Sequence, residues 1–255
     1  MEIWEALVLG IIQGASEFLP ISSSGHLLLL EKLGVGKEDL FFNVMLHVGT
    51  LIAVLIAMRK KWWPLVRHPF NKTNGYLILA CLPTVALAFV FKLLAPSLLE
   101  GKLLGCGFTL TACLLYAGEN FHSTESTLLN TKKSILTGVL QGIAVLPGVS
   151  RSGATISAMR LQGVEKENAT TFSFLLSIPI IIGSAAYESL DLITGKTVLS
   201  ITPEAVIVGV IAAFISGLLS IKFFLKLVEK HLLNGFVIYT LLLGIVTTIL
   251  PFFIK

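Results

Sequence analysis

Charge is what this sequence has least of. Only 13% of its 255 residues are Asp, Glu, Lys or Arg, against about 25% in an ordinary soluble domain. With 55% of residues hydrophobic and a mean hydropathy of +0.87, too few polar side chains remain to cover a water-facing surface. That excludes a soluble globular domain and makes the lipid bilayer the expected surroundings. Cysteine is scarce as well. Cys81, Cys106 and Cys113 stand singly in apolar stretches without metal-ligand spacing, and read as small buried hydrophobes. A basic leader is also missing. MEIWEALVL begins with acids, so no cleavable signal peptide is expected. The net charge of +4 says less than where the charges lie, and no nucleic-acid partner is expected.

Against this background the apolar runs stand out. A bilayer crossing takes about 20 residues, and six runs approach or exceed that: 40–58, 76–95, 103–118, 169–190, 203–223 and 234–254. Two further segments, 4–33 and 135–163, are apolar but broken near the middle by Pro, Gly and Ser. If only the six clean runs cross, twelve Lys and Arg residues fall on one side. They are Arg59, Lys60, Lys61, Arg67 and Lys72; Lys132 and Lys133; Arg160 and Lys166; and Lys222, Lys226 and Lys230. The other side receives Lys32, Lys37, Lys92, Lys102, Lys196 and Lys255. The richer side is the cytoplasmic one, which leaves both termini outside. The count requires each broken segment to enter and leave on one face as a re-entrant hairpin. Non-helical backbone at that depth must be buried in protein or line a cavity.

The two broken segments resemble each other. GIIQGASEFLPISSSGH begins at Gly10 and GVLQGIAVLPGVSRSGA at Gly138. An offset of 128 aligns Gly10, Gln13, Gly14, Ser24 and Gly25 with Gly138, Gln141, Gly142, Ser152 and Gly153. The matches fall on glycine and polar positions, where chance likeness between apolar segments would not concentrate. The expected architecture is therefore all-α and polytopic, with six full spans and two re-entrant hairpins in an inverted-topology repeat. It forms a single membrane domain over 1–255, with a first repeat at 1–118 and an inverted second at 135–255. Each half has an odd number of spans, which turns the second upside down. Folds of this layout place the functional site where the broken helices meet.

The polar residues of the two breaks form the candidate site. Gln13 and Glu17 lie four apart on one helix face. Pro20 ends that helix, and Ser22, Ser23, Ser24 and His26 follow. In the second segment Pro147 and Gly148 make the break, and Ser150, Arg151 and Ser152 open the next helix, with Thr155 one turn on. A charge within the hydrocarbon costs roughly 2.5–3.5 kcal/mol on insertion scales. Glu17 and Arg151 therefore need a purpose: either a structural ion pair with each other or an anionic ligand. Hydroxyls, free amides at a helix start and a guanidinium fork together suit phosphate oxygens. Serine, histidine and carboxylate supply a nucleophile, an acid or base, and a metal or proton partner. A site inside the membrane suits a lipid substrate. The inverted repeat keeps a second reading open, a polyprenyl-phosphate flippase or transporter.

QGASEFLPISSSGH and LPGVSRSGAT resemble the two signature motifs of the undecaprenyl-diphosphate phosphatase, or bacitracin-resistance, family. One is Glu or Gln, three residues, then Glu, met by Gln13 and Glu17. The other is P-G-x-S-R-S-x-x-T, met by Pro147, Gly148, Ser150, Arg151, Ser152 and Thr155. The likeness extends along essentially the whole chain. It implies hydrolysis of undecaprenyl diphosphate to undecaprenyl phosphate and inorganic phosphate in the bacterial plasma membrane. It also implies a site open to the outer face and a divalent cation, Mg²⁺ or Ca²⁺. By the same resemblance Ser22, Ser24, Ser150, Arg151, Ser152 and Thr155 would bind the diphosphate, and Ser23 would be the nucleophile. His26 would act as acid or base, and Glu17 would hold the metal or tune His26. Gln13 is the second metal candidate and a departure, because an amide replaces a glutamate found in many members. Fewer anionic oxygens are left for a metal, so more ligands would come from phosphate and water. The lysine-arginine motif of acid-phosphatase-type lipid phosphatases is not visible. The bilayer and a polyprenyl diphosphate are the expected partners, and a homodimer is the assembly left open.

Overall fold

The computed structural model describes residues 1–37, 39–121, 129–193, 201–229 and 233–249. Residues 250–254 of the expected sixth span lie outside the described residues, as do Lys196, Lys230 and Lys255 of the charge count. Among the described residues the chain is helical without a β-strand. Six long helices match the six apolar runs: α3 (Leu40–Ala57), α5 (Lys72–Leu94), α7 (Leu104–Asn120), α10 (Lys166–Ile193), α11 (Pro203–Glu229) and α12 (Asn234–Ile249). Four of these, α3, α5, α10 and α11, are long and apolar enough to cross a membrane. At 17 residues α7 reaches about 25 Å, short of a hydrocarbon core about 30 Å thick. The chain is a multi-pass membrane protein. Its outward surface fits that reading: Ile78, Val85, Ile211, Leu219, Leu242 and Ile245 are all exposed. Cys106 and Cys113 are exposed too, contrary to the expectation of buried thiols. Lipid accepts a small apolar side chain as readily as a protein core does.

The broken segments each form two helices, α1 (Ile3–Phe18) with α2 (Ser23–Lys32), and α8 (Thr131–Ile143) with α9 (Arg151–Leu161). Both fold back on themselves. After α2 the chain returns to the start of α1, where the Gly36 amide donates to Glu5 Oε1 at 3.1 Å. After α9 the Gln162 amide donates to the Lys133 carbonyl near the start of α8, at 3.3 Å. Hydrogen bonding at the breaks explains why new helices begin there. Ser22 Oγ accepts from Gly25 N at 3.3 Å, and Ser150 Oγ accepts from Gly153 N at 3.1 Å, each satisfying an otherwise orphaned amide. These caps are 128 residues apart, the offset of the sequence repeat. Position by position, Ser23 therefore stands where Arg151 stands in the other half.

Three of the glycines matched in the sequence, Gly10, Gly14 and Gly138, share one role. Helix α1 packs along α11 and α8 along α5. A Cβ on Gly14 would lie 2.3 Å from the Ala213 carbonyl oxygen, and one on Gly138 would lie 2.1 Å from that of Ala80. Backbone contact that close admits only glycine. Thr84 Oγ fastens the α5–α8 contact by donating to the Gly138 carbonyl at 2.9 Å, and Ser220 Oγ fastens α1 to α11 by donating to the Ala15 carbonyl at 2.7 Å. Gly138→Ala is expected to cost about 1–3 kcal/mol by overpacking. The check is a lowered Tm in detergent, with Gly75→Ala, which meets nothing within 4 Å, as the comparison.

Two features were not legible in the sequence. Residues 59–72, read there as a charged loop, contain the helix α4 (Arg59–Arg67), anchored by Trp62 Nε1 donating to the Leu55 carbonyl at 2.7 Å. Lys166, counted as a loop charge, is buried and donates to Glu119 at 2.6 Å. A four-residue helix, α6 (Pro96–Leu99), completes the set of described helices.

Candidate active site

The tips of the two folded-back segments meet. Ser152 Oγ donates to the Leu19 carbonyl at 3.0 Å, tying the second break to the first. Beside this seam, Glu17 gathers three partners. Its Oε1 accepts from Arg151 Nη2. Its Oε2 accepts from Ser23 Oγ at 2.5 Å and from Gln13 Nε2 at 3.0 Å. The carboxylate is buried, with Phe18 beside it in the chain and packed edge-on against Phe174, centroids 5.6 Å apart. An unpaired carboxylate there would be costly. The guanidinium and two uncharged donors compensate for the burial.

The remaining predicted residues fall into two groups. Ser23 is half-buried, with its hydroxyl on the Glu17 carboxylate, and Ser24 is exposed. Ser22, Ser150, Ser152 and Thr155 are buried. Ser22 and Ser150 are the helix caps, and Ser150 Oγ also lies 3.2 Å from Ser152 Oγ. The Ser150 amide donates to Thr111 Oγ at 2.8 Å, while Thr111 Oγ donates to the Gly148 carbonyl at 2.9 Å. Thr155 Oγ donates to the Arg151 carbonyl at 2.9 Å and lies 2.6 Å from Ser173 Oγ. Ser22 carries φ +69°, unusual for a side chain other than glycine and the only such residue among those described. Left-handed strain of this kind costs about 1–3 kcal/mol and persists only where the surroundings impose it.

His26 sits behind the serines, not against Glu17. Its Nδ1 is 2.7 Å from the Ser22 carbonyl and its Nε2 is 2.7 Å from the Tyr239 hydroxyl. The expectation that Glu17 tunes His26 has no hydrogen bond to support it, because the carboxylate is taken up by Arg151, Ser23 and Gln13. Phe108 meets the imidazole edge-on, centroids 5.4 Å apart. Sequence reasoning missed Tyr239 and Thr111. Both are isolated polar residues in apolar runs, a signal too common in membrane helices to single them out.

No cluster of three or more His, Cys, Asp or Glu exists among the described residues. The oxygens at Glu17 that could serve a metal are its carboxylate, the Ser23 hydroxyl and Gln13 Oε1, the last buried without a partner, while the Arg151 guanidinium shares the carboxylate. That chemistry fits a hard divalent cation.

Fold and site together define a polytopic helical membrane protein with a buried constellation of carboxylate, hydroxyls, imidazole and guanidinium. Residues 6–246 match the family described as Bacitracin resistance protein BacA, and the chain belongs to it. It is 37% identical over 255 residues to an undecaprenyl-diphosphatase from Carboxydothermus hydrogenoformans, covering 98% of each chain. Identity is 35% to a protein of the same name from Korarchaeum cryptofilum (96% of this chain, 98% of the relative). It is 37% to one from Christiangramia forsetii (99% of each).

Proposed function

We propose that this protein hydrolyses undecaprenyl diphosphate to undecaprenyl phosphate and inorganic phosphate, returning a carrier lipid to cell-wall synthesis and conferring bacitracin resistance. The observation that carries the reading is the sharing of Glu17 between Ser23 and Arg151. A nucleophile's proton acceptor and the anion clamp are thereby held one carboxylate apart. Names and coverage of the relatives favour the phosphatase over the flippase.

The arrangement supports a two-step displacement. Ser23 Oγ passes its proton to Glu17 and attacks the terminal phosphorus. The bond to the bridging oxygen breaks, releasing undecaprenyl phosphate and leaving phosphoserine, which water then hydrolyses to inorganic phosphate and free Ser23. Arg151 stabilises the charge gathering on the phosphoryl oxygens, and its donors other than the one on Glu17 have no partner among the described residues. His26 serves as acid or base for the leaving oxygen and the water. The hydroxyl of Ser24 and the amides opening α2 and α9 bind the diphosphate. Ser22, Ser150, Ser152 and Thr155 hold the two breaks in place around it. Glu17 and Gln13 would hold a Mg²⁺ or Ca²⁺, which when bound neutralises diphosphate oxygens. Purified protein in detergent, given undecaprenyl diphosphate with either cation, is expected to release phosphate. No release with both sinks the phosphatase reading.

In this reading the halves are inverted repeats, the two folded-back segments are re-entrant, and the protein resides in a bacterial plasma membrane with its site open outward. Cysteine introduced at position 37 is expected to react with an impermeant maleimide added outside intact cells, and cysteine at position 60 is not. The reverse pattern overturns the topology.

A further inference from the structure

Among the described residues, Tyr239 is the one polar side chain hydrogen-bonded to His26, and the chemistry above does not use it. Its ring lies parallel to the imidazole, 8° between planes and 5.7 Å between centroids, and its hydroxyl is 2.7 Å from Nε2. A carbonyl can only accept, so the contact with Ser22 O puts a proton on Nδ1. In the neutral ring Nε2 is then the acceptor, and the Tyr239 hydroxyl donates to it. Once Nε2 is protonated, the same hydroxyl accepts. Tyr239 can therefore accompany His26 through both proton states without moving away. With Phe108 against the ring edge, the imidazole is fixed in orientation and tautomer.

Tyr239 has a second neighbourhood. It lines a cavity of about 350 Å³ whose other walls are Ile21, Phe223, Leu227, Gly235 and Phe236, with no charged group among them. Ile21 immediately precedes the cap Ser22, so the cavity abuts the break that carries the serines. Phe223 is exposed on the outside of α11, so the cavity gives onto the lipid. One side chain thus forms the wall of an apolar recess with its ring and orients the imidazole with its hydroxyl.

We propose that this cavity seats the hydrocarbon adjoining the diphosphate of the substrate, and that Tyr239 is a positioning residue aligning His26 in step with that seating. The proposal rests on the phosphatase reading. With the diphosphate at the serines, the adjoining hydrocarbon lies past Tyr239 along Phe223 and Leu227 toward the lipid. Chain recognition and imidazole alignment then share one residue.

The test compares undecaprenyl, farnesyl and isopentenyl diphosphates as substrates of the purified protein. Tyr239→Phe keeps the ring and removes the hydroxyl. It is expected to lower kcat about tenfold, the worth of one hydrogen bond, with a smaller change in KM and no change in the ranking of chain lengths. Leu227→Trp fills the cavity. It is expected to reduce the preference for farnesyl over isopentenyl diphosphate, as kcat/KM, by about tenfold, the worth of one or two buried methylenes. Phe223→Trp at the cavity mouth gives the same direction if Leu227→Trp does not fold. Wild-type kcat in Tyr239→Phe overturns the positioning role, and an unchanged chain preference in the folded cavity variants overturns the seat. Absence of phosphate release by the unaltered protein from all three substrates would instead be a failure of the phosphatase reading.

Discussion

Arg151→Ala is expected to lower kcat/KM for phosphate release by about 1000-fold, within the range found for arginines that stabilise phosphoryl transfer. Two effects combine. The phosphoryl charge loses its guanidinium, and Glu17, 4% exposed at its side chain, loses the charge that compensates for its burial. Breaking a buried pair on one side costs about 3–5 kcal/mol of stability, so the variant is also expected to melt earlier. The double variant Arg151→Ala with Glu17→Gln removes the stranded charge. It is expected to recover much of the lost Tm and none of the activity. If the double variant regains activity, the Arg151–Glu17 pair is a structural device and the guanidinium does not act on phosphate. Arg151→Lys keeps the charge without the fork and is expected to fall between.

Ser23→Ala is expected to lower turnover further still, because among the described residues no other hydroxyl contacts Glu17. Loss of a nucleophile or its base costs about 10⁴-fold or more in enzymes where the group has been removed. Ser23 is half-buried and its side chain caps nothing, so the alanine variant should fold with a Tm close to that of the unaltered protein. Ser24→Ala separates the two serines: it removes an exposed hydroxyl that touches only Ser22, at 3.5 Å. It is expected to weaken substrate binding and leave most of kcat. An inactive Ser24→Ala beside an active Ser23→Ala would move the nucleophile by one residue. Phosphate trapped on Ser23 in the acid-quenched protein is the direct positive result.

The two halves of this site are legible in the sequence to different degrees. Gln13 with Glu17, and Ser150 with Arg151, are neighbours along the chain, and local spacing shows them. Ser23 and Arg151 occupying the same position of a repeated break is also implicit in the 128-residue offset, yet its meaning is not. One copy places a hydroxyl at the first helical position and the other a guanidinium. Only the meeting of the breaks shows that both serve one carboxylate. Tyr239 is 213 residues from His26 in the chain, and no periodicity connects them. Helix α4 was hidden by its charge, since a basic amphipathic turn lying outside the apolar runs looks like a loop.

What the sequence determined by itself is the membrane setting, the six apolar helices, the two breaks and the types of group at them. These follow from local rules: bilayer thickness sets helix length, Pro and Gly interrupt helices, and serine caps them. Tertiary structure decided which of those groups share a hydrogen bond or a charge, which serines cap helices and which one meets the carboxylate, and that His26 is hydrogen-bonded to Tyr239. Such outcomes depend on helix-to-helix approach, governed here by glycines whose missing Cβ lets backbones touch, and no spacing within one segment encodes the side chains that another segment brings.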